Sequence, residues 1–382
     1  MTIVRFGDVV RDVKVNVDRN NNPYEYYVAG DHMETENLKI QNRGRFATDD
    51  VGPAFIRIFK PGQILYGSRR TYLKKVAVAD FDGITANTTF VLETRDESIL
   101  LQKLLPFIML SDKFTKYSIK HSKGSTNPYI LFSDLAKYEF DLPSLEEQKR
   151  LAEILWAAEN LKESYLRLLT ASRDIVSSHF YEMFGNPFIN ERNWDFKPLT
   201  YVSSIISGST PKTDVAEYWD GDIKWVTPAE LSDDSFIITD TLRHITNEGV
   251  KATSSLQKLP IGTVLLSSRA PIGKVALCGV EMYCNQGFKN FICSDRLNPI
   301  YLFSILKMNT NYLQNLGSGS TFKEISKSVI SEMMIIVPPI ELQNEYAQFI
   351  MERYAFEDKL KDTIESIKGL KVSIITHALE GS

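Results

Sequence analysis

The chain has 382 residues, too many for one ordinary domain and well matched to two domains of roughly 150 residues with connecting elements. A hydrophobic fraction of 43% and a charged fraction of 24% fit a folded soluble protein, and no apolar run approaches the ~18 residues of a membrane span. The N-terminus lacks a secretory pattern, so a cytoplasmic location is expected. The formal net charge of −4 works against phosphate binding by the chain as a whole, so a nucleic-acid surface would have to be local.

In chain order, the first basic stretch is Val51–Ala79. It contains no acid and carries Arg57, Lys60, Arg69, Arg70, Lys74 and Lys75. Within it, Ile64-Leu65-Tyr66 follows a glycine turn and reads as a strand, as does Lys75-Val76-Ala77-Val78-Ala79. A helix is predicted from about Ile99 to Tyr117. The second acid-free stretch, Lys113–Ser133, holds Lys113, Lys116, Lys120 and Lys123 and the small polar segment Gly124-Ser125-Thr126. A strand over Tyr138–Leu142 stops at Pro143. Ser144 with Glu147 three residues on then has the capping-box pattern of a helix start.

The helix that follows carries apolar or small residues at alternating spacings of three and four: Leu151, Ile154, Ala158, Leu161, Tyr165, Leu168, Ser172 and Ile175. It runs to the stop signal Phe184-Gly185-Asn186-Pro187, about 35–40 residues or roughly 50–60 Å at 1.5 Å per residue.

The pattern then begins again. Gly62, Ile64, Leu65, Ser68 and Arg69 recur in order as Gly262, Val264, Leu265, Ser268 and Arg269. Val76-Ala77 recurs as Val275-Ala276, Asn87 as Asn285, and Gly124-Ser125-Thr126 with Ile130 as Gly319-Ser320-Thr321 with Ile325. Pro143, Glu146, Gln148 and Ala152 recur as Pro338, Glu341, Gln343 and Ala347. Strands are predicted at Val264–Leu266, Lys274–Leu277 and Met334–Val337, and a helix at about Pro299–Leu316.

A second long helix repeats the stripe at the same phase, through Tyr346, Phe349, Arg353, Phe356, Leu360, Thr363, Ile367 and Leu370. Two such helices in register are expected to pair, through Ile154, Leu161, Leu168 and Ile175 on one and Phe349, Phe356, Leu360 and Ile367 on the other. If they pair antiparallel, they form a rod with a basic reader at each end. Such a rod would contact two short DNA segments about one to one and a half turns apart. The acidic side of the rod suits a protein partner.

The three cysteines, Cys278, Cys284 and Cys293, lack paired zinc spacing and read as reduced core thiols. Catalytic patterns are missing. Asn22-Pro23-Tyr24, Asn127-Pro128-Tyr129 and Asn186-Pro187-Phe188 each have one proline where an adenine methyltransferase needs two, and no phosphate-binding G-x-x-x-x-G-K-[ST] loop occurs. The expectation is a non-catalytic chain.

Ser207-Gly208-Ser209-Thr210-Pro211, Tyr218-Trp219, Gly221-Asp222-Ile223 and Trp225-Val226-Thr227-Pro228 resemble the opening of a target-recognition domain of Type I restriction-modification specificity subunits. Ser268-Arg269 before Ile272-Gly273-Lys274-Val275-Ala276, the Pro-x-x-Glu-x-Gln start of each long helix, and Met183-Phe184-Gly185 fit the same family. The first half lacks the Ser-Gly-x-Thr-Pro opening, and Tyr27-Val28 aligns with Trp225-Val226.

The resemblance implies an α+β chain of two tandem, similar mixed recognition domains, separated by two long helices that pair as an antiparallel, pseudo-twofold coiled coil. The expected bounds are 1–143 and 186–338 for the domains and 144–185 and 339–382 for the helices. It implies double-stranded DNA as ligand, with each domain reading half of a bipartite target. Two methyltransferase subunits and motor-endonuclease subunits are the implied partners, with no membrane role. It implies no cofactor on this chain, S-adenosylmethionine, ATP and Mg being held by the partners.

The candidate DNA contacts are Arg69, Arg70, Lys74, Lys123, Gly124, Ser125 and Thr126 in the first half. In the second they are Arg269, Lys274, Gly319, Ser320, Thr321 and Lys323. Two other readings are a helical scaffold without DNA contact, and the recognition module of a related single-chain restriction enzyme.

Overall fold

The computed structural model describes residues 2–18, 21–187, 189–317 and 323–380, so Gly319, Ser320 and Thr321 lie outside the described residues. The chain divides into two compact units, Met1–Leu166 with Asp362–Ser382 and Arg167–Lys361.

In the first unit, strands β1 (Thr2–Arg5), β2 (Val10–Asp12), β3 (Tyr26–Val28), β4 (Gly44–Arg45), β5 (Phe55–Phe59), β6 (Ile64–Gly67), β7 (Val76–Val78), β8 (Gly83–Ala86), β9 (Thr89–Thr94) and β10 (Glu139–Leu142) form three sheets. Two are four-stranded, ordered β2-β9-β6-β7 and β4-β3-β8-β5; in the third, β1 pairs with β10. The β3–β8 pair is parallel.

The second unit holds β11 (Asp195–Pro198), β12 (Ser203–Ser207), β13 (Trp219–Val226), β14 (Ile237–Ile238), β15 (Arg243–Ile245), β16 (Val264–Ser267), β17 (Val275–Cys278), β18 (Tyr283–Cys284), β19 (Phe288–Cys293) and β20 (Met334–Val337). Its sheets are β12-β19-β16-β17-β14, β15-β13-β18 and the pair β11-β20. Again the β13–β18 pair is parallel.

The sequence repeat is therefore a repeat of sheet topology, and the ladders fix its register. Tyr66 faces Val76 and Leu266 faces Val275. Gly67 N donates to Lys75 O at 3.0 Å and Ser267 N to Lys274 O at 2.9 Å. The counterpart of Lys274 is thus Lys75, one residue past the Lys74 that motif spacing suggests. Trp225 faces Tyr283 where Tyr27 faces Ile84, so Tyr27-Val28 and Trp225-Val226 occupy the same place in the two domains.

Each predicted mid-domain helix is two helices. Leu105–Leu110 and Asp112–Lys120 break at Ser111, whose side chain accepts from Phe114 N. Pro299–Met308 and Thr310–Leu316 break at Asn309. Ser111 caps the helix it starts, whereas Asn309 closes the helix it ends, its Nδ2 donating to Ile305 O at 2.7 Å.

The long helices span Leu145–Phe184 and Ile340–Ile375. Ser144 Oγ accepts from Glu147 N at 3.3 Å at the first start. Gly185 ends that helix at φ +73°, a conformation in which a side chain is strained.

Within each unit the two helices pack antiparallel. In the second unit, Arg353 Nε donates to Ser172 O at 3.3 Å while His179 lies 4.3 Å from the Phe349 ring and Phe180 lies 5.4 Å from Tyr346. In the first, Leu151, Ala152 and Leu155 share a core with Ile375 and Leu379, and Glu159 meets Lys371.

The seam keeps Leu151, Ala158 and Ser172 of the predicted stripe along the first helix, but its alternate positions lie one residue or more away from those predicted. Leu155, Glu159, Lys162, Phe180 and Phe184 are buried, whereas Ile154, Leu161, Leu168 and Ile175 are exposed, Leu161 at 48%. On the second helix Leu360 and Ile367 are buried and Phe349 is half-buried. Phe356 is exposed, and Glu357 is buried in its place. The pairing roles expected for Ile154, Leu161, Leu168, Ile175 and Phe356 are therefore corrected.

The physical reason is that charged side chains occupy the seam. In the first unit Glu159, 0% exposed, sits 2.5 Å from Lys162 Nζ and is also bonded to Lys371 Nζ of the other helix. Burial works against the Glu159 carboxylate, but hydrogen bonds from Lys162 and Lys371 hold its pKa below the usual glutamate value. In the second unit Glu357 is bonded to Arg353 of its own helix and lies 3.7 Å from Arg173 of the other. Each ion costs several kcal/mol to desolvate, and the pairing offsets that cost.

Candidate DNA interface

In the first unit, β6 runs out at Gly67 onto a short junction. Ser68 O accepts from Ile130 N at 2.9 Å, and Arg70 N donates to Pro128 O at 2.7 Å. Lys123 and Tyr129 exchange backbone hydrogen bonds of 2.7 and 2.9 Å, closing a loop whose turn uses Gly124 at φ +84°. The structure thus brings Arg69, Arg70, Lys123, Gly124, Ser125 and Thr126 side by side, all exposed. Among the described residues no carboxylate pairs with Arg69 or Arg70. Lys123 is bonded to Asp134 at 2.9 Å, and that hydrogen bond is the main cause of the low Asp134 pKa.

Lys74 is not part of this surface. It is held in the left-handed region at φ 45°, 2.9 Å from Glu36 and 3.0 Å from Asp112. Burial opposes its charge, but those hydrogen bonds outweigh burial and raise its pKa. Two carboxylates already satisfy it, which corrects its expected role as a phosphate contact.

The second junction keeps the strand-exit hydrogen bond and departs after it, with a cis Ala270–Pro271 bond where the first has Arg70 at φ 49°. Ile325 N donates to Ser268 O at 2.9 Å, as Ile130 does to Ser68. The side chains differ. Arg269 Nε donates to Glu324 Oε2 at 2.9 Å, and buried Lys289 reaches Glu324 Oε1 at 3.2 Å. Partial burial works against the Glu324 carboxylate, but the two cations keep its pKa low. Lys323 is exposed and Lys274 half-exposed, without a salt bridge among the described residues.

The Ser-Gly-Ser-Thr-Pro segment is a packing element. A Cβ on Gly208 would lie 1.9 Å from Asn285 O, Ser209 N donates to Cys284 O at 2.9 Å, and Trp225 Nε1 donates to Ser209 O at 3.0 Å. Only glycine permits that approach. The cysteines nearby are packing residues as well: burial pushes the Cys284 and Cys293 thiols up to about 12. Among the described residues no group of three or more His, Cys, Asp or Glu could hold a metal ion, and no helix is long and apolar enough to cross a membrane.

Two cations escaped the sequence reading. Arg43 lies over the Tyr26 ring at 3.8 Å, and Arg243 over Trp219 at 3.8 Å and Trp225 at 5.3 Å. Both are exposed, and neither pairs with a carboxylate among the described residues. Stacking leaves the guanidinium N–H fork free to bond in its plane. The Arg243 contact follows the ladder register, in which Trp225 faces Arg243, and Arg43 reaches Tyr26 from just before β4, which pairs with β3.

Twice-repeated mixed domains, each with a loop junction at the end of a central strand and each feeding a long helix, define a duplicated recognition protein. The chain matches the family described as Type I restriction modification DNA specificity domain, over residues 11–166 and 191–368, and it belongs to that family. It is 41% identical over 159 residues to the Type I restriction enzyme MjaIX specificity subunit of Methanocaldococcus jannaschii, a match spanning 41% of this chain and 37% of that relative. It is 21% identical over 445 aligned positions to the HindI specificity subunit of Haemophilus influenzae, covering 94% of both chains. In fold it is similar to the Type-I restriction-modification S subunit from M. genitalium, at a TM-score of 0.61 and 14% identity, over 98% of this chain and 94% of that one.

Proposed function

We propose that this chain is the DNA-reading subunit of a Type I restriction-modification complex and is itself non-catalytic. Each recognition domain reads one part of a two-part, asymmetric target, and the paired helices hold the parts at a set spacing. The observation that carries this reading is the doubled strand exit: β6 and β16 leave their sheets through matching hydrogen bonds, Ile130 N to Ser68 O and Ile325 N to Ser268 O, and carry different side chains beyond them. Identical junctions would suit a symmetric target, whereas these suit two different half-sites.

The partners are methyltransferase subunits, joined by motor-endonuclease subunits, with S-adenosylmethionine, ATP and Mg on those chains. In the first unit the outward residues Ile154 and Leu161 give a protein partner an apolar surface, and in the second Leu168 and Ile175 give another. The alternative of a helical scaffold without DNA contact has no use for the unpaired arginines Arg69 and Arg70.

A gel-shift selection on randomised duplex, with and without the methyltransferase subunits, tests the reading. Enrichment of a two-part sequence is expected. No retention under either condition favours the scaffold.

A further inference from the structure

In the second unit a loop of the recognition domain grips the helix pair. Asp234 lies 2.6 Å from Arg173 of the first long helix, and Arg173 Nε lies 3.7 Å from the buried seam carboxylate Glu357. Two residues on, the Phe236 ring stacks on Tyr354 of the second long helix, with centroids 3.8 Å apart and planes within 6°. The loop is stiffened from within, since Ser232 N donates to Ser235 Oγ at 2.9 Å and Asp234 N to Ser232 Oγ at 3.2 Å. It also leads straight into β14, which pairs with β17 of the main recognition sheet. One loop therefore touches both long helices and is continuous with the reading sheet.

Among the described residues the first unit has no salt bridge from this loop to either long helix. Its matching loop carries Glu34 and Glu36, and Glu36 lies 2.9 Å from Lys74 of its own domain. The loop nearby reaches the helix through Gln41, whose Nε2 donates to Glu163 Oε2 at 3.3 Å.

We propose that Arg173 is a positioning residue that sets the angle of the second recognition domain on the helix pair and so limits which spacings between the two half-sites are accepted. This rests on the two-part reading above and deepens it. The Arg173–Asp234 pair is about half-exposed, and the core that the domain shares with Phe180, Phe184, Tyr346 and Ile350 of the long helices stays in place without it. The loss is therefore expected as a small shift of the loop end of the domain about that shared core, and a fixed spacing is sensitive to it because one base-pair step is only about 3.4 Å.

The test uses the full chain with its methyltransferase subunits and a duplex library randomised over about four helical turns. The wild-type chain enriches one spacing. Arg173→Ala keeps both half-site sequences but raises acceptance of spacings one base pair longer or shorter about tenfold. Arg173→Lys stays closer to wild type, and Phe236→Leu, which removes the stack, broadens spacing in the same sense.

Unchanged spacing in Arg173→Ala overturns the proposal. So does a changed base preference in either half-site, or an equal loss on all sequences, since either would make Arg173 a DNA contact. If Arg173→Ala melts early, Asp234→Asn breaks the same pair from the loop side and is judged by the same outcomes. A wild-type chain that enriches no two-part site overturns the underlying reading, a result distinct from all of these.

Discussion

The junction after β6 and the junction after β16 share a strand-exit hydrogen bond and differ in electrostatics. At the first, Arg69 and Arg70 are exposed and, among the described residues, pair with no carboxylate. At the second, Arg269 is bonded to Glu324, which also takes up Lys289. The seams differ in the same way. Glu159 is enclosed between two buried lysines, whereas Glu357 shares Arg173 with an exposed aspartate. Duplication has kept the hydrogen-bonded frame, and the side chains set on it have diverged. A reader of two unlike half-sites needs that combination.

The largest effect should come from the enclosed seam. Glu159→Leu leaves Lys162 and Lys371 buried without a counter-charge and should cost about 3–5 kcal/mol in chemical denaturation. The triple replacement Glu159→Leu, Lys162→Leu, Lys371→Leu should recover most of that loss. Glu357→Leu should cost less than Glu159→Leu, because it leaves one largely buried cation, Arg353, without its carboxylate and not two, while Arg173 retains Asp234 and solvent; equal costs would remove the contrast between the seams.

Next come the outward residues. Leu161→Asp should leave the melting temperature within error and weaken methyltransferase binding by about 2 kcal/mol in calorimetric titration. Normal partner binding would show that this face is not the docking surface.

The junction comparison is sharpened by Arg69→Ala and Arg269→Ala. The first should lower DNA affinity by about 1–3 kcal/mol at fixed salt. The second should lower it less, since Arg269 is already engaged by Glu324. The reverse order would mean that Glu324 releases Arg269 to the DNA.

The smallest effect is on pH. The folded Glu159 pKa lies below its ordinary value of 4.5, so the unfolded chain binds the proton first as pH falls. Its stabilisation is complete above that ordinary value and is lost as pH drops through the folded one. Glu159→Gln should show a shallower acid-side fall in melting temperature than wild type.

Much of this architecture was legible in the sequence. The repeat, the β6, β7, β16, β17 and β20 strands, and the start and stop of the first long helix all followed from local chemistry, whereas the placing of Arg69 beside Gly124-Ser125-Thr126 came from the fold. The seam did not. A hydrophobic stripe finds Ile154, Leu161, Leu168 and Ile175, but the charged residues Glu159, Lys162, Lys371 and Glu357 hold the seam positions and leave that stripe facing outward. Periodicity cannot distinguish a face buried by a partner helix within the chain from one reserved for another protein. The assignment of Lys74 failed for a similar reason: its two acids, Glu36 and Asp112, are brought to it by the fold and are remote in sequence. Arg43 and Arg243 depend on strand register, which motif spacing does not report.

Two separate domains reading two separate stretches of DNA should leave two separate marks on the duplex. Hydroxyl-radical footprinting of the chain with its methyltransferase subunits on the selected duplex tests this directly. Two protected blocks with an accessible gap between them are predicted, with Arg69→Ala weakening one block before the other. A single unbroken block, or a gap that vanishes with no loss of affinity, would contradict it.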